Sequence, residues 1–275
     1  MNILKNFFSM MRVGNAIIAS IGIAIGWFFC NSHLPISDLI FRVLAGFFAL
    51  GYGNIINDIC DIKTDKISHP KRPLVSGKIT LRIAIIFASI CFILSILTGF
   101  SSSFKLGAAT LIPLFVLTLY SVSLKATPFA GNFVVAALTG YTLLFGGFGE
   151  NMQLILYPAL LAFLANFARE IVKDLADYDG DKAAGLSTTA MISLNCINFV
   201  IYLQFIAFIV ISTLPFLAGI LGKTYAIIVV SFVMPLHFMY LKYFNAKQYK
   251  KASDTLKIQM IVGLIAVIAD YFVKF

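Results

Sequence analysis

The sequence predicts an all-α integral membrane protein, a bundle of about nine transmembrane helices around a central cavity, with two aspartate-rich motifs on the cytosolic side. Its 275 residues are 60% hydrophobic and only 12% charged, whereas about a quarter of the residues in a soluble domain are charged. Apolar windows long enough to span a bilayer recur along the chain, and most acidic residues stand beside two of them. We expect a single transmembrane domain over residues 1–275.

The apolar windows predict helices rather than barrel strands. Windows of this length suit helices, because each segment must satisfy its own backbone hydrogen bonds in lipid, and they lack the alternation of barrel strands. The nine windows cover residues 13–30, 38–57, 81–99, 105–123, 129–148, 152–173, 193–220, 223–243 and 257–274. The first window spans the bilayer and has no small-residue cleavage site, so we interpret it as a helix rather than a signal peptide.

The distribution of basic residues predicts the orientation in the cell membrane. With a cytosolic N-terminus and nine spans, most of the 21 Lys and Arg fall on the inner side, and the C-terminus lies outside. The outer side holds Arg42, Lys105, Lys223 and Lys274. Anionic lipid headgroups explain the net charge of +9 better than nucleic acid does. The four cysteines have no metal-site or disulfide spacing, and no obligatory protein partner is expected.

Two acidic stripes with the same spacing are the main functional signal. The first consists of Asp58, Asp61 and Asp65, and the second of Asp174, Asp177 and Asp181. Residues at i, i+3 and i+7 lie near one line on a helix, and each stripe follows an apolar window on the inner side. Solvated loop ends or helix caps would explain one such triplet, but two triplets of identical spacing point to a shared function.

Carboxylates at membrane depth need a neutralising partner, and hard oxygen ligands favour Mg²⁺, which commonly bridges carboxylates to phosphates. Two such stripes would clamp a diphosphate between two ions. Basic residues are interleaved with the acids: Arg12, Lys71, Arg72, Lys125, Arg169 and Lys173. Membrane topology alone explains Lys71 and Lys125 equally well. Arg169 and Lys173 share a helix face with Asp177, which favours phosphate binding.

Aromatic side chains make up 14% of the chain, and most are explained by packing. Tyr141 and Phe145, on one face of the fifth span, are candidates to line the cavity, where ring faces stabilise a carbocation. His33, His69 and His237 are isolated in the sequence, and we assign them no role.

The motifs Asn57-Asp58-x-x-Asp61-x-x-x-Asp65 and Lys173-Asp174-x-x-Asp177-x-x-x-Asp181 resemble the two signatures of the UbiA-type intramembrane prenyltransferases. Arg12-x-x-Asn15 and the basic segment after the first motif extend the resemblance over the whole chain, although Val75 stands where Pro is expected. The run Arg169-Glu170-Ile171-Val172-Lys173-Asp174 resembles the branch that transfers a geranylgeranyl group to the hydroxyl of geranylgeranylglyceryl phosphate. An additional Arg suits an acceptor that carries a phosphate.

The resemblance implies roles for these residues. The six aspartates of the two stripes would bind Mg²⁺, with Asp58, Asp61, Asp174 and Asp177 as the catalytic set. A prenyl diphosphate and a lipid-like phosphorylated acceptor would be the substrates. Expected substrate-binding residues are Arg12, Asn15, Asn54, Asn57, Lys71, Arg72, Lys125, Arg169, Lys173 and Tyr141.

Three alternatives stay open at this point. An aromatic-acceptor prenyltransferase of quinone or haem biosynthesis would share both motifs. A CDP-alcohol phosphotransferase would need an Asp-Gly-x-x-Ala-Arg signature, which the sequence lacks. A cation transporter would place its carboxylates at the membrane midplane on broken helices, whereas here they stand at helix ends.

Overall fold

A computed structural model describes residues 3–149, 151–183, 185 and 187–274, and every regular element in these ranges is helical. In chain order the helices are α1 (Ile3–Met11), α2 (Val13–Asn31), α3 (Ile36–Cys60), α4 (Ile62–Ser68), α5 (Leu81–Ser102), α6 (Phe104–Leu119), α7 (Ala130–Gly146), α8 (Gln153–Ala176), α9 (Tyr178–Ala183), α10 (Leu194–Leu217), α11 (Lys223–Ile228), α12 (Met234–Asn245) and α13 (Tyr249–Lys274). Short π-helical turns extend α6 over Tyr120–Leu124 and join α11 to α12 over Val229–Val233.

The predicted nine spans are confirmed within the described residues. Eight helical segments are long and apolar enough to cross a membrane, and Ala130–Gly146 is a shorter apolar helix. The chain is therefore a multi-pass membrane protein. Two boundaries differ from the windows. The amphipathic helix α1 precedes the first span, and α13 begins at Tyr249 rather than at residue 257 because its first two turns are polar but still helical.

Helices α2 and α7 cross at very short range. A Cβ atom added to Gly146 would lie 1.9 Å from the carbonyl oxygen of Ile23, and one added to Gly26 would lie 2.1 Å from that of Leu143. Only glycine permits this approach of two backbones, as is common between membrane helices. The crossing fixes α7, which carries part of the functional site at its other end.

A buried ion pair holds the far ends of α2, α3 and α7 together. The Arg42 guanidinium donates to Asp38 at 2.7 Å and to the carbonyl oxygens of Gly146 at 3.0 Å and Phe148 at 2.7 Å. Asp38 also accepts a hydrogen bond from the Trp27 indole at 2.8 Å. Arg42 is 4% exposed, so this residue, expected as an outer topological charge, instead satisfies carbonyls at the C-terminal end of α7.

Candidate active site

The two aspartate motifs are built in the same way. Asp58 lies in the last turn of α3, and Asp174 in the last turns of α8. The middle aspartates, Asp61 and Asp177, occupy the C-cap positions with φ, ψ of −87°, 5° and −97°, 6°. Asp65 and Asp181 then lie on the short helices α4 and α9. Each stripe is therefore interrupted at its middle residue, so neither triplet lies on one continuous helix.

In the first motif, cationic side chains contact all three carboxylates. Arg12 donates to Asp58 at 2.8 Å, and Arg72 contacts Asp58 at 3.2 Å and Asp65 at 2.5 Å. Lys125 forms an ion pair with Asp61. These three aspartates are 3–9% exposed, so their charges are compensated within the protein.

Arg12 reaches Asp58 because the backbone turns sharply between α1 and α2. Its φ of 51° lies in the left-handed region, which is uncommon for a residue with a side chain. Asn54 accepts a hydrogen bond from Arg12 at 3.3 Å and donates to the Met11 carbonyl oxygen at 2.8 Å. The turn is therefore held by the same residues that the sequence predicts for substrate binding.

In the second motif, neutral groups hold the first aspartate. Asp174 accepts from the Asn132 amide at 2.9 Å and from the Thr189 backbone N–H at 3.3 Å, and the Thr189 hydroxyl also bonds Asn132. The nearby cations are engaged elsewhere, because Arg169 and Lys173 contact Glu170 at 2.5 Å and 3.6 Å. Over the described ranges, no Lys or Arg forms a salt bridge with Asp174, Asp177 or Asp181.

The electrostatic environment of the second motif favours an added cation. Burial raises the pKa of the Asp181 carboxyl, and the neighbouring Asp177 carboxylate raises it further. In the first motif, the Asn57 amide donates to Asp61 at 2.8 Å while its buried oxygen has no partner in the described part of the chain. These carboxylate and amide oxygens are the ligand type that Mg²⁺ prefers. Among the described residues, no three acidic side chains are already gathered around a single point.

Both motifs open on one cavity of about 1440 Å³ that continues between the membrane helices. The predicted residues that line it are Arg12, Asn15, Asn54, Asn57, Asp61, Asp65, Arg72, Lys125, Arg169, Lys173, Asp174, Asp177 and Asp181. Asp58 and Lys71 instead line an adjacent pocket of about 510 Å³, which shares Arg12, His69 and Arg72 with the large cavity. The structure therefore brings together nearly all of the residues that the sequence singles out.

Tyr141 and Phe145 are corrections to the predicted lining. Neither residue is part of the cavity wall. The Tyr141 hydroxyl donates to the Ala109 carbonyl oxygen at 2.8 Å, and Phe145 is buried in an apolar cluster with Ile23 and Leu106. Helical periodicity correctly put both on one side of α7, but that side packs against α6 rather than facing the cavity.

Tyr120 is a cavity residue that the sequence reasoning missed. It begins the π-helical turn that ends α6, and π turns are frequent at functional sites. Its ring lines the cavity, and its hydroxyl has electrostatic interactions with Asp61 of the first motif, Asp174 of the second, Glu170 and Arg12. Tyr120 therefore lies between the two motifs. A tyrosine at the end of an apolar span, five residues before Lys125, was the available sequence signal.

The profile of the UbiA prenyltransferase family matches residues 16–262. The chain belongs to this family. Digeranylgeranylglyceryl phosphate synthase of Methanocaldococcus jannaschii is 37% identical over 274 residues, covering 96% of this chain and 95% of that protein. The synthase of Methanopyrus kandleri is 32% identical and covers 97% of this chain and 99% of its own length. Family membership supports a prenyltransferase over the transporter alternative.

Solved structures share the fold. A structure concerned with digeranylgeranylglyceryl phosphate synthase superimposes with a TM-score of 0.86 at 33% identity, covering 98% of this chain and 99% of that one. A UbiA homologue from Archaeoglobus fulgidus, bound to DMAPP and Mg²⁺, has a TM-score of 0.72 at 16% identity, with 95% and 99% coverage. The second likeness concerns the fold alone.

Proposed function

We propose that this protein is a Mg²⁺-dependent intramembrane prenyltransferase that moves a geranylgeranyl group from its diphosphate to the hydroxyl of geranylgeranylglyceryl phosphate, forming an ether lipid. The observation that carries the proposal is the single cavity that both aspartate motifs and six cationic side chains line and that continues as an apolar space between helices. The full-length similarity to relatives named for this reaction supports the choice of acceptor.

The six aspartates and the Asn57 amide oxygen would hold Mg²⁺. When bound, Mg²⁺ would neutralise the diphosphate and stabilise the charge that the diphosphate gains as the carbon–oxygen bond breaks. The A. fulgidus homologue and its DMAPP and Mg²⁺ are consistent with this assignment.

The cations of the site would bind the diphosphate directly. Arg72 and Lys125 contact carboxylates in this structure, and both line the cavity. A guanidinium offers a planar pair of donors to phosphate oxygens, and an ammonium a point charge. On substrate binding these cations would share their charge between carboxylate and diphosphate, which holds the leaving group between the two motifs.

The allylic cation left by ionisation must be shielded from water. Tyr120 lies between the motifs with its ring on the cavity, and a ring face stabilises a nearby cation. Apolar side chains, among them Leu117, Leu138 and Phe208, also line the cavity. The acceptor hydroxyl, rather than water, would then reach the cation.

The acceptor phosphate would be bound by Arg169. Its NH1 contacts Glu170 and Asn166, but its buried Nε has no partner among the described residues. This N–H is available to a phosphate oxygen. Arg12 would assist from the opposite side of the cavity, and Asn15 and Asn54 would orient the hydroxyl so that its lone pair faces the prenyl carbon.

We further propose that the motifs face the cytosol and that the chain acts as one domain in the cell membrane, with the C-terminus outside. The asymmetric distribution of Lys and Arg supports this orientation. Cysteine labelling of the loop near Lys71 and of the loop after Leu217 in intact cells would test it.

Product analysis by mass spectrometry tests the function. Purified protein in lipid receives geranylgeranyl diphosphate, Mg²⁺ and one of three acceptors: geranylgeranylglyceryl phosphate, the same alcohol without its phosphate, or an aromatic acid. We expect the mass of digeranylgeranylglyceryl phosphate with the first acceptor only. A prenylated aromatic acid and no ether would establish the aromatic-acceptor alternative instead. Arg169→Gln should raise the KM for the phosphorylated acceptor at least about tenfold.

A further inference from the structure

The apolar part of the cavity ends at the buried side chains Phe208, Tyr225 and Val229. A row of side chains at i, i+4 spacing on α8 runs from the second motif to this end, and all of its members line the cavity. The row consists of Asp174, Glu170, Asn166, Ala162 and Pro158. It begins with polar residues and ends with apolar ones. At 1.5 Å per residue the row is about 24 Å long, whereas an extended twenty-carbon prenyl chain is roughly 20 Å.

Tyr225 closes the far end of this space. It lines the cavity together with Phe208 and Val229 and is 1% exposed. Its hydroxyl donates to the Ser212 carbonyl oxygen on α10 at 2.9 Å. Its backbone N–H donates to Asp270 on α13 at 3.1 Å, and Asp270 also accepts from the Gly222 N–H at 2.6 Å. Because three hydrogen bonds tie the start of α11 to α10 and α13, the ring is a fixed wall.

Gly263 keeps the space open one turn before that wall. It lines the cavity on α13, and a Cβ atom added there would meet nothing within 4 Å. Four residues further along the same helix, about 6 Å, Val267 packs in the same apolar cluster as Tyr225. A large side chain at Gly263 would therefore fill the lumen and remove about one isoprene unit of length.

We propose that Tyr225 sets the length of the donor's prenyl chain, with Gly263 leaving the room that a twenty-carbon chain needs. This inference rests on the proposed function and adds its donor specificity. The donor is the occupant because its diphosphate binds at Asp174, and its chain then follows the α8 row directly to Tyr225. The acceptor binds through its own phosphate at Arg169. This residue directly precedes Glu170 on α8 and is not part of that row.

A donor series tests the proposal. The kcat/KM for farnesyl, geranylgeranyl and geranylfarnesyl diphosphates is measured with geranylgeranylglyceryl phosphate fixed, and then acceptors of different chain length are compared with the donor fixed. Gly263→Phe should shift the preference from the twenty-carbon to the fifteen-carbon donor at least about tenfold. Tyr225→Ala should raise use of the twenty-five-carbon donor relative to the twenty-carbon donor by a similar factor. Ile265→Phe, on the lipid-facing side of α13, is the matched control and should keep the native profile.

If Tyr225→Ala does not fold, Gly263→Phe alone still tests whether this end of the cavity sets the donor's chain length. A native donor profile in active Gly263→Phe, or a shift confined to the acceptor series, overturns the proposal. Failure of the proposed function looks different, because no ether would form from geranylgeranylglyceryl phosphate with any donor, while the donor profile would still be measurable with another acceptor.

Discussion

The two aspartate motifs share a backbone design but differ in charge. In the first, three carboxylates meet three cations, Arg12, Arg72 and Lys125. In the second, Asp174 is held by the neutral Asn132 and Thr189, and the nearby cations are directed to Glu170 instead.

The corresponding position in the first motif explains part of this difference. Asn54 stands four residues before Asp58, as Glu170 stands four residues before Asp174. The neutral Asn54 leaves Arg12 free to reach Asp58, whereas the charged Glu170 attracts Arg169 and Lys173. The first motif thus carries its own countercharge, whereas within the described residues no cation forms a salt bridge with a carboxylate of the second. We infer that the first presents cations to the diphosphate and that the second has the greater need for metal.

Removing one carboxylate from either motif tests whether the two act as one site. Asp58→Ala and Asp174→Ala should each lower prenyl transfer at least about 100-fold, because a diphosphate clamped from both sides loses one side. Folding is checked by size-exclusion chromatography and thermal unfolding, with the exposed Asp254→Ala as the control. Substantial Mg²⁺-dependent activity in both variants would contradict the assignment.

Removing a cation tests the charge difference between the motifs. Lys125→Met should raise the KM for the prenyl diphosphate about 10- to 100-fold, since its ammonium is placed to contact the leaving group. Lys173→Met should have a smaller effect, because the Lys173 side chain is half exposed and its ion pair with Glu170 is long, at 3.6 Å. Exposed Lys242→Met is the control for loss of a membrane-edge charge. If Lys173→Met raised the KM for the prenyl diphosphate as much as Lys125→Met or more, the proposed charge difference between the motifs would be contradicted.

Glu170→Gln tests whether the charge of Glu170 holds Arg169 and Lys173 away from the aspartates of the second motif. Without the Glu170 charge, Arg169 loses its 2.5 Å ion pair and is less well positioned for the acceptor. We expect the KM for geranylgeranylglyceryl phosphate to rise about tenfold, with the KM for the donor nearly unchanged. A matching rise in the donor KM would instead place Glu170 at the diphosphate.

The smallest expected effect concerns the neutral groups at Asp174. Asn132→Ala removes the 2.9 Å hydrogen bond but keeps the Thr189 N–H, so the loss should be about 1 kcal/mol, or several-fold in kcat/KM. Asn195→Ala, an exposed residue outside the cavity lining, is the control. A loss as large as that of Asp174→Ala would show that the amide contacts substrate directly.

Patterns local in the chain predicted most of this architecture. The apolar windows located all nine spans of the described residues, and the spacing of the aspartates located both motifs. The interruption at Asp61 and Asp177 was not predictable, because the same residues fit a continuous helix. The pairing of Lys125 with Asp61 and the burial of Arg42 against the end of α7 join residues far apart in sequence, and composition carries no information about such pairs. Tyr120 was missed because a π turn changes which residues face the cavity.

Metal binding measures the difference between the motifs most directly. Mn²⁺, as a probe for Mg²⁺, is titrated into the purified native protein, Asp58→Asn and Asp174→Asn, each with an unreactive geranylgeranyl thiodiphosphate. We expect Asp174→Asn to weaken Mn²⁺ binding at least about tenfold and clearly more than Asp58→Asn, because the carboxylates of the second motif form no salt bridge in the described part of the chain. Equal weakening, or a larger effect at Asp58, would contradict the division of roles between the two motifs.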